Sequence, residues 1–170
     1  LRSGSRNCAA GLVALVAGVV CSSTASAQFV EAEVAHRVVG EGTVVFGGLD
    51  VAGLQAARNA AVGVPTQFAV RQDVAFSARE FGEVRDLGNG RFSWRLLIQT
   101  GNALNVNVAM DWNVPASTQM FLLDEEGNER FGEFGAQNNL EHGELWTPPV
   151  PGSSMELYAE VDADELDAFL

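Results

Sequence analysis

The stretch Gly88-Asn89-Gly90-Arg91-Phe92-Ser93-Trp94-Arg95-Leu96-Leu97-Ile98-Gln99 decides the fold class. Phe92, Trp94, Leu96 and Ile98 fall on one side of a two-residue period, and Arg91, Ser93 and Arg95 on the other. Successive side chains of an extended chain point to opposite faces, so this run predicts a strand with one face in a core. Gly88-Asn89-Gly90 tolerates positive φ, and so predicts a tight hairpin turn from a partner strand over 83–87.

Outward from that hairpin the same period recurs. Phe68 and Val70 alternate with Gln67 and Arg71, and Leu104, Val106, Val108 and Met110 with Asn105 and Asn107. Met155, Leu157, Ala159 and Val161 repeat the pattern near the end. Met120-Phe121-Leu122-Leu123 is apolar throughout and is expected to be buried on both sides. Asp124-Glu125-Glu126-Gly127-Asn128 reads as a second hairpin turn, and Pro148, Pro149, Pro151 and Gly152 punctuate the approach to the last strand. Short alternating strands with such breaks predict an all-β fold, an antiparallel β-sandwich of jelly-roll type.

One short N-terminal helix is expected over 51–61, where alanine dominates, with Asp50 as its N-cap and Gly63 and Pro65 ending it. Residues 28–48 read as a leader with some strand character: Phe29, Glu31 and Glu33 alternate with Val30, Ala32 and Val34 before Gly40, Gly42, Gly47 and Gly48 intervene. The predicted sandwich spans 49–161, and 162–170, with Asp162, Asp164, Glu165 and Asp167, reads as an acidic linker.

Residues 1–27 have the layout of a signal peptide. Arg2 and Arg6 supply a charged start, residues 9–20 form an uncharged apolar run, and Ala25-Ser26-Ala27 gives a small-x-small cleavage site ahead of Gln28. The run is short of the roughly 20 residues a bilayer span requires. Secretion, periplasmic or extracellular, is therefore expected. Both cysteines, Cys8 and Cys21, lie inside the removed segment, so the exported part must be held by its core alone. Lipidation at Cys21 is disfavoured, because bulky Val19 and Val20 precede it.

The charge balance is acidic. Taking Arg2 and Arg6 from the 10 basic residues leaves 8 against 22 acidic ones, a balance of −14 for the exported part. Such a surface repels phosphate backbones and anionic headgroups, which argues against nucleic-acid partners and against membrane contact beyond the signal peptide. Every basic residue is arginine.

Reactive groups are sparse. His36 and His142 are the two histidines, and no serine stands in a Gly-x-Ser-x-Gly or Gly-Asp-Ser-Gly context, so no catalytic triad is expected. Zinc needs clustered His and Cys ligands, which the exported part lacks. Asp124, Glu126 and Asn128 have alternate spacing, but the glycine falls one position early for a calcium loop and no bidentate glutamate follows. Neither a metal nor a cofactor is expected. Trp112 and Trp146, near strand ends, are the residues from which a sugar-stacking platform could be built; Trp94 follows the buried alternation.

Two blocks carry a family likeness. One is Leu49-Asp50-Val51-Ala52-Gly53-Leu54-Gln55-Ala56-Ala57 with Pro65-Thr66-Gln67-Phe68-Ala69-Val70. The other is Asn138-Asn139, then Glu144-Leu145-Trp146-Thr147-Pro148-Pro149-Val150-Pro151-Gly152 and Met155-Glu156-Leu157-Tyr158. With Trp94-Arg95-Leu96 and Ala103-Leu104-Asn105 between them, the chain resembles the N-terminal pro-region of secreted bacterial trypsin-like serine proteases of the lysyl endopeptidase type. The likeness covers about residues 49–161 and departs at Trp112-Asn113-Val114-Pro115-Ala116-Ser117, where a Pro-Gly turn is expected.

The resemblance implies a β-rich region ahead of a chymotrypsin-fold catalytic domain, removed on maturation, that escorts, folds or restrains that domain in cis. It carries over no catalytic residue, and on it the sequence breaks off just before the catalytic part. A GC-rich genome, which also fits the Ala, Gly and Val excess, is the leading account of the missing lysine; for a Lys-specific parent, its absence would also spare this region from its own product. The second reading is an extracellular binding module, for carbohydrate, in a larger secreted protein.

Overall fold

The computed structural model describes residues 11–18, 29–31, 36–38, 42–48, 50, 52, 53, 56, 69–124, 126, 127 and 130–170. They are mostly β-sheet, with a short α-helix at the C-terminal end, a 3₁₀ turn at Ala136–Asn138, helical residues at 52, 53 and 56, and no closed barrel. The strands are β1 (Gly11–Gly18), β2 (Phe29–Glu31), β3 (His36–Val38), β4 (Thr43–Phe46), β5 (Ala69–Gln72), β6 (Phe76–Ser77) and β7 (Glu83–Gly88). They continue with β8 (Arg91–Thr100), β9 (Asn105–Asp111), β10 (Gln119–Leu123), β11 (Arg130–Gly135), β12 (Glu144–Trp146), β13 (Val150–Pro151) and β14 (Ser154–Asp162). Helix α1 (Leu166–Phe169) follows.

The strands form two sheets. The first runs β12-β9-β1-β5-β2, with β13 also on β9 and β6 also on β1. The second runs β11-β10-β14-β8-β4-β3, with β7 also on β8. Buried side chains of both sheets belong to one apolar cluster: Val106, Val108 and Val150 from the first, Leu96, Ile98, Leu122, Met155 and Leu157 from the second. Each of these is at most 2% exposed, which places the core where period-two alternation put it.

Antiparallel pairing does not hold throughout. β2 runs parallel to β5, and β4 parallel to β8, so both sheets are mixed. The strands from 28–48 return beside strands far along the chain, and such long crossovers allow parallel neighbours. The leader is thereby drawn into the fold, with Val44 and Phe46 at 0% and 3% exposure.

The β7–β8 hairpin closes through Asn89 and Gly90, both at positive φ (57° and 77°), the I′ arrangement that matches strand twist. Nearby Gly82 sits at φ 119° against the Trp94 indole, where a Cβ would collide with the ring. Trp94 Nε1 donates to the carbonyls of Ala78 (2.9 Å) and Phe81 (3.1 Å), so a buried indole keeps its hydrogen bond. At Asp124 the second turn closes with Gly127 N–H donating to the Asp124 carbonyl at 3.0 Å.

Of the expected helix over 51–61, Ala52, Gly53 and Ala56 are described and helical. Gly53 N–H donates to Asp50 Oδ1 at 2.8 Å, the N-cap bond. The rest of that helix, Phe68, and the cleavage-site residues Ala25, Ala27 and Gln28 lie outside the described residues. Residues 162–170 pack back on the body: Phe169 is 6% exposed and meets Trp94 edge-on at 5.8 Å. Glu165 Oε2 accepts from Ser117 N–H at 2.9 Å, and Arg79 pairs with Asp167 at 3.2 Å.

Candidate functional site

β14 presents Glu156, Tyr158, Glu160 and Asp162 on the face of the second sheet turned away from the core, because Met155, Leu157, Ala159 and Val161 are buried on the other. Register brings arginines beside them. Arg95 of β8 lies opposite Tyr158, and Arg91 opposite Asp162. Arg95 Nε bonds Glu156 Oε1 at 2.6 Å, with its guanidinium 5.2 Å from the Tyr158 ring centroid. Arg91 reaches Glu160 at 3.5 Å and Asp162 at 3.4 Å.

On the other flank Phe121 of β10 lies opposite Tyr158 and is only 6% exposed. The Arg130 guanidinium covers its ring, 3.2 Å from the centroid. An aromatic side chain on an outer face is thus shielded by a cation rather than by core. Tyr158 O–H donates to Glu160 Oε1 at 2.7 Å. Burial above all, then that hydrogen bond and the Glu160 charge, raise the phenol above the ordinary tyrosine value of 10.

The face is therefore partly buried and cross-linked by ion pairs and aromatic–guanidinium contacts. Arg, Tyr and Phe are the side chains that protein interfaces favour. Single exposed ion pairs stabilise little, so the network's main effect is to hold these groups in fixed positions. It has no nucleophile set against a base.

Between the sheets near α1 lies a small apolar cavity of about 40 Å³. Phe76, Trp94, Met110, Trp112, Val114 and Phe169 line it. With an almost wholly apolar wall it offers a water too few partners.

The histidines and tryptophans of the sequence reading are separated. His36 stands in β3 opposite Phe46. Exposed His142 accepts the Glu144 N–H on Nδ1 at 3.1 Å, inside its own turn. Trp112 is 3% exposed and donates from Nε1 to the Gly135 carbonyl at 3.1 Å, so no face of it is free for a sugar ring. Trp146 is 47% exposed, its Nε1 3.4 Å from Glu144 Oε2. The two do not make one platform.

Among the described residues, no three His, Cys, Asp or Glu side chains converge on a metal position, and no helix is long and apolar enough to cross a membrane. The arginine–aromatic face was missed in the sequence because its groups come from four separate strands, β8, β10, β11 and β14. The alternation of Glu156, Tyr158 and Glu160 with buried residues, and that of Arg91 and Arg95 in the other strand, were the local signals for it. No family model, curated protein or solved structure matches the chain.

Proposed function

We propose that the chain is the non-catalytic pro-domain of an exported trypsin-like serine endopeptidase, which assists folding of the catalytic neighbour or restrains it. The observation that carries this reading is the likeness of residues 49–161 to such pro-regions. A fold that joins two sheets through one core, with a fixed arginine–aromatic face, supports it, since it suits binding a protein surface rather than transforming a substrate.

On this reading the two sheets make a β-sandwich of jelly-roll type, and residues 1–27 are the export signal, cut after Ala27. The mechanism is thermodynamic. A domain that binds the native or near-native protease better than its unfolded chain shifts that equilibrium by the difference in affinity. The carbohydrate-module alternative loses its platform with the burial of Trp112.

Two measurements test the proposal. Reading the gene beyond codon 170 is expected to reveal a His, Asp and Gly-Asp-Ser-Gly series; an unrelated module there removes the protease. The encoded catalytic domain, refolded with and without this chain in trans, is expected to regain activity or to be inhibited only when the chain is present. Equal activity in both arms would leave the pro-domain role without support. Cleavage after arginine rather than lysine by that enzyme would dispose of self-sparing as the reason for missing lysine.

A further inference from the structure

β1 is the middle strand of the first sheet. On one side it pairs antiparallel with β9, Leu15 opposite Val108 and Ala17 opposite Val106. On the other it pairs antiparallel with β5, Leu15 opposite Gln72 and Ala17 opposite Val70. β5 and β9 have no pairing with each other. At about 4.8 Å between paired strands, they stand roughly 10 Å apart, a gap one strand wide.

The same eight residues, Gly-Leu-Val-Ala-Leu-Val-Ala-Gly, are the centre of the apolar run in the proposed export signal. The two uses exclude each other, because an export signal is handed over unpaired and then cut away. Its removal exposes the inner edges of β9 and β5, two rows of backbone N–H and C=O groups. The walls themselves are buried at Val70 of β5 (5% exposed) and at Val106 (0%) and Val108 (1%) of β9. Open edges over a core are templates for strand addition.

We propose that the β5–β9 gap is a strand-acceptor slot, and that in the exported form it takes an extended, uncharged aliphatic segment of the protease domain that the chain escorts. β1 defines the chemistry accepted: an aliphatic strand bracketed by glycine, antiparallel to both walls, with a register irregularity between Leu12 and Leu15 on the β9 side. A second copy is the wrong occupant. Once cut, it has no residues 11–18 to donate, and its surface carries the same net negative charge. Both the partner's identity and the emptying of the slot on export rest on the proposed function, in which residues 1–27 are the export signal.

The test uses the full chain with a specific protease site introduced within 22–27, so that β1 becomes a separable fragment. After nicking, a fluorescent peptide of residues 9–20 with charged solubilising ends is added. Exchange into the slot is expected to raise its anisotropy and restore hydrogen-exchange protection at 69–72 and 105–111. A peptide with proline in place of Val16 is expected not to bind, since it lacks a ladder N–H.

Without peptide, the amides of 69–72 and 105–111 that face β1 are expected to exchange rapidly, while Val108 N–H, bonded to Thr147 Oγ1 on the far side, and 93–98 in β8 stay protected. Protection of the β1-facing amides of 105–111 without any fragment would mean that β5 closes directly on β9, and would overturn the slot. So would loss of protection everywhere on fragment release, or equal binding of the proline peptide. Unfolded protease domain is expected to compete the peptide off. Failure to compete, with exchange intact, removes the partner but not the slot, whereas failure of the proposed function is read separately from the gene beyond codon 170.

Discussion

Tyr158 is the single tyrosine of the chain, so its ionisation can be followed by ultraviolet difference spectra without a second phenol contributing. Burial and the Glu160 hydrogen bond raise its ionisation above 10, which means the folded state favours the neutral ring. That contribution is complete below pH 10 and is lost as pH rises through the raised value. Glu160→Gln is expected to move the titration part of the way back, because burial, the larger cause, persists; an unchanged curve would remove Glu160 from the account. Thr118 makes the opposite case. It is 3% exposed and its Oγ1 finds no hydrogen-bond partner among the described residues. Thr118→Val keeps the shape and deletes the unsatisfied hydroxyl, so a gain of about 1 kcal/mol in urea unfolding is expected.

Helix α1 tests whether the acidic end of the chain is a tether or part of the body. Phe169 fills one wall of the apolar cavity beside Trp94, and Phe169→Ala is expected to cost about 3 kcal/mol in denaturant unfolding. A solvated linker would show no change. The acidity of 162–170 masked this in the sequence, where Asp162, Asp164, Glu165 and Asp167 outweigh Leu166 and Phe169 to the eye. β8, β9 and β14 were legible because each alternates over four or more residues against one core. Leu104 was misplaced by one step: β9 begins at Asn105, and Leu104 is 64% exposed. The parallel neighbours β2–β5 and β4–β8 were not legible, since a short strand's own residues do not name its partner. Nor did local pattern separate Trp112 from Trp146. Their burial depends on the Gly135 carbonyl in one case and an exposed turn in the other.

At the scale of the whole molecule, 22 acidic residues against 10 basic ones leave a surface that repels itself. Raising sodium chloride from 0.01 M to 0.15 M shortens the screening length from about 30 Å to about 8 Å. The melting temperature is expected to rise by a few degrees in differential scanning fluorimetry. A fall would mean that the ion pairs of Arg91 and Arg95 outweigh the net repulsion. The position of β14, central in its sheet between β10 and β8, has a mechanical outcome. A motor hauling on the C-terminal end strips α1 first and then loads β14 along its axis. Its hydrogen bonds to both neighbours bear that load together, as in shear, instead of parting one by one. Such a strand holds until it gives as a unit, and its departure opens the second sheet down the middle. Threading from that end is thus a single abrupt yield rather than a gradual unravelling.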